Sequence, residues 1–344
     1  MAGWGGWGGW GGWGGWGGWG GWGGWGGGAS SGNPLITDAL MRSRDGTVLQ
    51  QTLVAQFTSH HAAVGDTASL KRWEPLLRFN VALFDLLSGL QVVPGSNEAT
   101  LQAGGTTLLV MKRPDPAFFA EQLKLVASYA EIRQDRASEI VVQMQPQVPF
   151  WSSVVHMHPS HSAKTLEMVE LALGFASIVC MKFKQVMAVP RPIDLSTEIQ
   201  PIVATPSHSA YPSGHSTEAH MIAYVLPYLI SATAADQTKY GTQLAAQAER
   251  IAQNRTVAGL HFPVDSHAGQ ILARVLADYF LHYCGLANPV MQRTINPNPT
   301  VTDADFVPAQ HLKDSNPTAA TLPAIDPTKT VLGWLANQTK TEWA

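Results

Sequence analysis

The sequence is poor in cysteine, with Cys180 and Cys284 as its only two among 344 residues. Two cysteines this far apart make neither a disulfide framework nor a metal site of familiar spacing. Small disulfide-stapled scaffolds and cysteine-based zinc modules are therefore excluded. We predict that both are free thiols on apolar helix faces, which favours a reducing compartment.

Strong net charge and long apolar runs are also missing. The formal net charge of −3 indicates no basic surface for nucleic acid or for an anionic membrane. The longest apolar runs, such as 221–235, fall short of the roughly 18–20 residues that span a bilayer. The N-terminus shows no basic start followed by an aliphatic run, so no secretory signal is predicted. We expect a cytoplasmic protein with no membrane span and no nucleic-acid partner.

Glycine and tryptophan, in contrast, dominate the start of the chain. Residues 3–28 repeat Trp-Gly-Gly, with a tryptophan at every third position from Trp4 to Trp25. Glycine this dense loses too much backbone entropy to order alone, so residues 1–33 are predicted to be a disordered leader. Two interpretations stay open: a sticky tail with no part in catalysis, or a self-association or adhesion tag on a structural protein.

From Pro34 onward the apolar spacing is helical, with few strand signals. The four strongest helices are predicted at 162–188, 214–233, 237–258 and 264–283. After about residue 287 the chain is rich in Pro, Asn, Thr and Asp. We predict an all-α fold with a central helical bundle. The predicted parts after the leader are an N-terminal helical lobe, a catalytic bundle and an extended C-terminal arm: 34–150, 151–287 and 288–344.

Cations interrupt two of these apolar helix faces. Lys184 lies on the stripe of the first strong helix and Arg255 on that of the third. A buried unpaired charge costs several kcal/mol, and few carboxylates are available nearby in the pattern. Arg191 adds a third cation just after the first helix. Taken singly, each fits an ion pair or a snorkelling side chain; together they indicate a site for a tetrahedral oxyanion.

The stretch "PSGH" at 212–215 precedes the second strong helix. Free N–H groups and the helix dipole favour an anion there, and Gly214 allows close approach. His215 continues the inward stripe of that helix. His261 follows the third helix, and Asp265 is placed in the first turn of the fourth, where it can orient the imidazole. Alone, Ser213 and its neighbours make an ordinary N-cap.

These motifs resemble the superfamily of type 2 phosphatidic acid phosphatases and vanadium-dependent haloperoxidases. The pattern there is Lys-x6-Arg-Pro, then Pro-Ser-Gly-His, then Ser-Arg-x5-His-x3-Asp. This chain matches all three within 184–265, except that Asn254 replaces the serine. The first 150 residues match no motif. The resemblance implies a helical bundle of the haloperoxidase and phosphatase (PAP2) type.

The resemblance also implies an oxyanion pocket with specific roles. His261 would be the nucleophile of a phosphatase or the vanadium ligand of a haloperoxidase, and His215 the acid–base. Lys184 would assist catalysis and Asp265 would orient His261. The implied holders of vanadate or phosphate are Lys184, Arg191, Ser213, Gly214, Arg255 and His261.

Of the two chemistries, the haloperoxidase is favoured because lipid phosphatases of this superfamily usually have membrane spans and the secreted acid phosphatases usually carry a signal peptide, and neither is predicted here. His208 favours it further. This residue lies four residues before Pro212. A histidine at this position resembles the pattern of the bromide-oxidising enzymes. The alternative is that His208 is an ordinary polar loop residue. The main hypothesis is a vanadium-dependent haloperoxidase with vanadate as cofactor. It would oxidise bromide with hydrogen peroxide to halogenate a small organic substrate, with chloride and iodide left open. The alternative is a soluble acid phosphatase that works through a phosphohistidine. A homo-oligomer is implied by the resemblance alone.

Overall fold

The structure, a computed structural model, describes these parts of the chain: 34–48, 63–286, 289–297 and 305–344. The chain divides into two compact units, one spanning Trp7–Asp66 and the other containing Thr67–Ala344. In the first unit, Pro34–Val48 form an exposed helix, α1. The predicted leader over residues 1–33 lies outside the described residues.

The second unit is mostly helical. Its described α-helices are α2 (Pro75–Ser88), α3 (Phe119–Tyr129), α4 (Arg133–Val142), α5 (Val148–Ser152), α6 (Ala163–Met187), α7 (Pro192–Leu195), α8 (Gly214–Ile230), α9 (Ala234–Val257), α10 (Pro263–Tyr283), α11 (Pro308–Asp314) and α12 (Val331–Glu342). Short 3₁₀ turns lie at Ala68–Arg72, Pro116–Phe118, Ala130–Ile132, Thr197–Ile199 and Pro327–Lys329. Among the helices described, none has both the length and the apolar character needed to cross a membrane.

The four strongest predicted helices are confirmed as α6, α8, α9 and α10. Helix α8 packs against the other three, and most of its side chains are buried. Helix α6 ends just before Ala188, which adopts a left-handed φ of 48°, and Pro190 and Pro192 prevent its continuation. The apolar faces of these helices form the core, and Lys184 and Arg255 are buried within it.

Helix α10 crosses the start of α8 closely at Gly269. A Cβ added to Gly269 would lie 2.7 Å from the Ser213 carbonyl oxygen and 2.8 Å from Ser216 Cβ, so a side chain there would push the helices apart. The Ser216 hydroxyl donates to the Ser266 carbonyl at 2.7 Å at the same crossing. The Ser213 N–H donates to the Asp265 carbonyl at 2.8 Å. This crossing therefore fixes the start of α8 beside the start of α10.

A five-stranded sheet corrects the prediction of an all-α fold. Its strands are β1 (Leu90–Pro94), β2 (Glu98–Ala103), β3 (Thr106–Lys112), β4 (Met291–Ile295) and β5 (Thr318–Ala319). They lie in chain order; β3 and β4 pair in parallel, and the other neighbouring pairs are antiparallel. The segment predicted as a helical lobe therefore contains three antiparallel strands. Strands β4 and β5, from the last part of the chain, extend the same sheet.

The turn between β2 and β3 carries a sequence signal for these strands. Gly104 and Gly105 form a two-residue loop with φ of 54° and 85°, a conformation that glycine adopts without strain. Along β2, buried residues alternate with partly exposed ones, with Ala99, Leu101 and Ala103 buried. Alternation next to Gly-Gly predicts a hairpin. The sequence prediction relied on helical spacing, which does not detect a two-residue alternation, and the strands were therefore missed.

The chain after residue 288 is not the extended arm that was predicted. Its described residues include β4, α11, β5 and α12, and α12 packs against α2 and α6. The Glu342 carboxylate accepts the N–H groups of Lys164 (2.6 Å) and Thr165 (2.8 Å) at the start of α6, where the helix dipole favours a negative charge. These elements are short and lie in a segment rich in proline and asparagine, so the sequence shows no clear hydrophobic periodicity there. The predicted domain boundaries themselves stay predictions.

Candidate anion-binding active site

His261 and Asp265 form a buried pair at the start of α10. His261 Nδ1 lies 2.9 Å from Asp265 Oδ2, which also accepts the Phe262 N–H at 2.9 Å. Because a carboxylate accepts, Nδ1 carries the proton and Nε2 keeps its lone pair. Burial, with the charges of Arg191 and Lys184, lowers the pKa of His261 well below its usual range, so the ring is neutral. Burial also raises the pKa of Asp265, opposed by Lys184 and the Phe262 N–H.

Arg191 joins His261 to His208. Its Nη1 lies 3.0 Å from His261 Nε2 and 2.9 Å from the Leu260 carbonyl, while Nη2 lies 3.1 Å from His208 Nδ1. A guanidinium only donates, so both imidazole nitrogens are acceptors here. The Arg191 main-chain N–H donates to Asp194 Oδ2 at 2.7 Å, which fixes the backbone at the start of α7. The lone pair of His261 Nε2 therefore accepts a hydrogen bond from a cation.

Lys184 lies near the end of α6 and is only 2% exposed. Its Nζ donates to the Ser209 and Ala210 carbonyls, each at 2.8 Å. An ammonium has three protons, so these two acceptors leave one for a ligand. Burial lowers the pKa of Lys184 to about 8. The lysine is therefore charged at neutral pH but close to losing its charge.

Arg255 is completely buried, and no carboxylate within the described ranges pairs with it. Its Nη2 donates to Gln143 Oε1 (2.9 Å) and to the Ile140 carbonyl (3.2 Å), whereas Nε and Nη1 lack hydrogen-bond partners in the described structure. In contrast, the buried Arg78 makes bonds of 2.6 and 2.9 Å to the Glu167 carboxylate. Burial lowers the pKa of Arg255 to about 10, so it stays charged. A buried cation with two unpaired donor nitrogens indicates an anionic ligand.

His215 lies in the first turn of α8. Its Nε2 is 3.1 Å from the Gln143 main-chain oxygen, so Nε2 carries a proton and Nδ1 is the nitrogen that titrates. Burial and the charge of Arg255 lower the pKa of His215 to about 3, which keeps the ring neutral in the ligand-free site. A bound dianion raises this pKa through its opposite charge. His215 is thus suited to exchange a proton at Nδ1 once an anion is present.

The start of α8 adds main-chain donors. Ser213 is the N-cap, and its hydroxyl accepts the Ser216 N–H at 3.4 Å. The first N–H groups of a helix have no intrahelical partner and favour an anion. A Cβ added to Gly214 would meet no described atom within 4 Å. The glycine therefore leaves open space beside the helix start.

A cavity of about 560 Å³ opens beside Arg191. It is lined by residues 188–191, 193–194 and 205–209, which include His208 and Asp194. Both lining segments are loops or helix ends next to the predicted anion site. The cavity thus gives a ligand access to Arg191 from outside the bundle.

The structure brings the sequence-predicted site residues together. They are Lys184, Arg191, His208, Ser213, Gly214, His215, Arg255, His261 and Asp265. Their roles stay predictions. Sequence analysis missed Gln143, which follows α4 and contacts both Arg255 and His215. The one hint was Asn254, whose Nδ2 donates to Gln143 Oε1 at 3.1 Å and which departs from the motif serine.

A protein-family model described as PAP2 superfamily matches residues 168–288, which contain all of the motif residues. The chain contains a PAP2 superfamily domain. This PAP2 domain takes in most of α6 and all of α8, α9 and α10, but not α4 or strands β1–β3. The predicted superfamily is therefore confirmed, whereas the haloperoxidase subtype receives no specific support.

Among solved structures, the chain is similar to "the first transmembrane PAP2 type phosphatidylglycerolphosphate phosphatase from Bacillus subtilis". The two are 16% identical, the similarity covers 47% of this chain and 84% of that chain, and the TM-score is 0.36. No curated protein matches this chain. The function of the PAP2 domain is therefore inferred from its own side chains.

These side chains fit a tetrahedral oxyanion. The donors are two unpaired nitrogens of Arg255, the third proton of Lys184 and the helix start at Gly214. Phosphate and vanadate both present oxygens in this geometry, and arginine forks match them. Both anions therefore suit the residues present, and vanadate as a cofactor stays a prediction.

The charge of Lys184 gives a pH dependence that can be measured with sulfate, which stays doubly charged across the range. Because burial lowers the pKa of Lys184 to about 8, the ammonium loses its proton above that pH. We expect the sulfate Kd to rise by about tenfold as pH increases from neutral through this value. Isothermal titration calorimetry at stepped pH values measures the change.

Two variants distinguish the titration of Lys184 from that of a neighbouring group. Burial raises the pKa of Glu218 to about 7, so this carboxyl gains negative charge over a neighbouring interval. Glu218→Gln should remove only the part of the loss of sulfate affinity that occurs near pH 7. Lys184→Met should bind sulfate weakly and show no step near pH 8. The same step in Lys184→Met would assign the titration to another group.

Proposed function

We propose that the PAP2 domain is a phosphatase that hydrolyses a phosphate monoester through a covalent intermediate on His261. One observation carries the proposal: His261 Nδ1 is held by Asp265 at 2.9 Å, while unprotonated Nε2 faces Arg191 at 3.0 Å. This is the arrangement of an activated neutral nucleophile next to an anion site. The PAP2 superfamily match supports the same chemistry.

In the first step, the phosphoryl oxygens bind Lys184, Arg191 and Arg255, which neutralise charge in the transition state. Arg191 Nη1 then donates to a phosphoryl oxygen rather than to His261, which frees the nucleophilic lone pair. Nε2 attacks phosphorus, so a P–N bond forms as the P–O bond to the leaving group breaks. The Asp265 carboxylate stabilises the positive charge that develops on the ring.

His215 transfers the protons in both steps. The bound dianion raises the pKa of His215, so Nδ1 can carry a proton that it gives to the leaving oxygen. In the second step the now neutral Nδ1 takes a proton from water as the water oxygen attacks phosphorus. The P–N bond breaks, inorganic phosphate leaves and His261 returns to its neutral state. The Gln143 carbonyl keeps the proton on Nε2 throughout.

We assign the alcohol part of the substrate to the cavity beside Arg191. Its volume of about 560 Å³ accommodates a small organic group. The wall combines apolar side chains such as Val189 and Ile193 with the Asp194 carboxylate. This lining favours a neutral or cationic leaving group over an anionic one.

A second candidate is the haloperoxidase function, which one contact favours. His208 Nδ1 lies 3.1 Å from Arg191 Nη2, and His208 lines the cavity. Vanadate held by the same cations would supply a Lewis-acid centre for peroxide. His261 would hold the anion at Nε2, and His208 would place a titratable ring where peroxide and halide enter. Hydrogen peroxide, bromide and the organic acceptor stay predictions, as do the homo-oligomer and the cytoplasmic location.

The test compares both activities on one preparation of the full chain. We expect hydrolysis of p-nitrophenyl phosphate, inhibited competitively by orthovanadate because vanadate mimics the phosphoryl-transfer transition state. The parallel assay measures bromination of a cyclic dione by hydrogen peroxide and bromide after incubation with orthovanadate. Vanadate-dependent bromination without phosphate ester hydrolysis would replace the phosphatase proposal with the second candidate.

A further inference from the structure

Gln143 connects the end of α4 to two groups of the anion site. Its side-chain Oε1 accepts from Arg255 Nη2 at 2.9 Å, and its main-chain oxygen accepts from His215 Nε2 at 3.1 Å. The residue is completely buried and lies outside the segment matched by the PAP2 family model. One residue from the N-terminal half therefore contacts both a predicted anion ligand and the predicted acid–base.

The orientation of the Gln143 amide follows from its partners. A guanidinium has no acceptor, so the atom that faces Arg255 has to be the oxygen. The amide nitrogen Nε2 then lies on the other side, buried and with no hydrogen-bond partner in the part of the chain described. The amide oxygen fixes one edge of the guanidinium and leaves Nε and Nη1 of Arg255 for a ligand.

A neutral partner suits this position better than a carboxylate would. A carboxylate would hold Arg255 more strongly but would cancel the charge that an anion needs. The amide positions the guanidinium and leaves its full charge available. Arg78 illustrates the other arrangement. Its guanidinium is paired with the Glu167 carboxylate, so its charge is neutralised within the protein.

Asn254 holds the Gln143 amide in turn. Its Nδ2 donates to Gln143 Oε1 and to Glu139 Oε2, each at 3.1 Å, and its Oδ1 accepts from Arg136 Nη1 at 3.1 Å. Asn254 is completely buried and stands where the motif pattern has serine. The two donors on Oε1 prevent the amide from flipping, since a flip would place NH₂ against two donors. The asparagine at this motif position is thus hydrogen-bonded to the glutamine that follows α4.

We propose that Gln143 is a positioning residue that sets the guanidinium of Arg255 for anion binding, so that the end of α4 completes the PAP2 site. The inference rests on the proposed function only in taking a tetrahedral oxyanion as the ligand. The side chain acts on Arg255, whereas His215 is held by the main chain. A side-chain substitution therefore weakens anion binding and leaves the hydrogen bond from His215 Nε2 to the main-chain oxygen in place.

The test uses Gln143→Met in the full chain, with sulfate as the probe. Methionine keeps the length of the side chain but accepts only weakly. We expect the sulfate Kd to rise about tenfold or more, with kcat/KM falling in parallel. In an Arg255→Ala background, adding Gln143→Met should change the Kd by less than about twofold, because coupled residues are not additive. Gln270→Met is the matched control: Gln270 is also buried, but donates to Tyr224 on α8.

Arg255 itself gives a readout that needs no ligand. Rotation about its Cζ–Nη bonds, followed by NMR exchange in the ligand-free protein, should be slow in the wild type and fast in Gln143→Met. The tautomer of His215, with its proton on Nε2, should be the same in both, because the main-chain acceptor is unchanged. If the wild type bound no oxyanion, the proposed function would fail. The rotation rates would still show whether the Gln143 side chain holds the Arg255 guanidinium. Equal rotation in both proteins, or an equal loss of sulfate affinity with and without Arg255, would overturn the proposal.

Discussion

The substitution His261→Ala is expected to lower the phosphatase kcat/KM by more than about 10³-fold, because the proposed covalent intermediate then has no acceptor atom. The lone pair of His261 Nε2 is set towards Arg191, while the opposite ring nitrogen is held by the Asp265 carboxylate. The cations remain in place, so sulfate should still bind with a Kd within about tenfold of the wild type. Steady-state kinetics and calorimetry measure the two quantities.

Trapping the intermediate distinguishes the chemical role of His261 from a binding role. Acid-labile, base-stable phosphate should accumulate on the wild-type chain after rapid mixing with a fast-leaving aryl phosphate, and be absent from His261→Ala. His215→Ala serves as the contrast, because it should form the intermediate from that ester and hydrolyse it slowly. Turnover of His261→Ala near the wild-type rate would refute the site assignment, and label retained by that variant would move the nucleophile elsewhere.

The substitution Asp265→Ala is expected to have the second-largest effect, a loss of about 10³–10⁴ in kcat. Without the carboxylate, nothing holds the proton on His261 Nδ1, and the ring can place it on Nε2 instead. The Phe262 N–H at the start of α10 also loses its acceptor, which should cost about 1–2 kcal/mol of stability. Kinetics well below the melting temperature, together with thermal unfolding, separate the two losses.

Asp265→Asn is the matched variant, because the geometry lets an amide keep the tautomer. Asp265 Oδ2 accepts both the His261 and Phe262 protons, and Oδ1 is buried with no hydrogen-bond partner among the residues described. An amide oxygen in the place of Oδ2 can accept the same two protons; the charge is lost, and the amide NH₂ takes the buried position of Oδ1. We expect a much smaller loss for Asn than for Ala. Equal losses would mean that the charge of Asp265, rather than its orientation of His261, is what matters.

The burial of the cations shows how far local pattern can reach. Lys184 and Arg255 were expected on apolar helix faces from helical spacing alone, and both are buried. Helix faces follow from a short-range period of 3.6 residues, so the sequence determines them locally. Spacing does not say which charges have partners: Arg78 is equally buried but bonds to Glu167, 89 residues along the chain. Only the folded arrangement separates Arg78, which is paired with a carboxylate, from Arg255, which has no carboxylate partner among the described residues.

By itself, the sequence determined the four central helices, the order of the cations and histidines, and the superfamily of the domain. Each of these depends on residues close in the chain, through helical period, proline stops or motif spacing. Tertiary structure alone decided that β3 pairs with β4 and that Glu342 caps α6. It also placed Gln143 against Arg255, 112 residues away. Such contacts form because chain segments meet in the packed core, where a buried donor requires an acceptor from whichever element lies next to it.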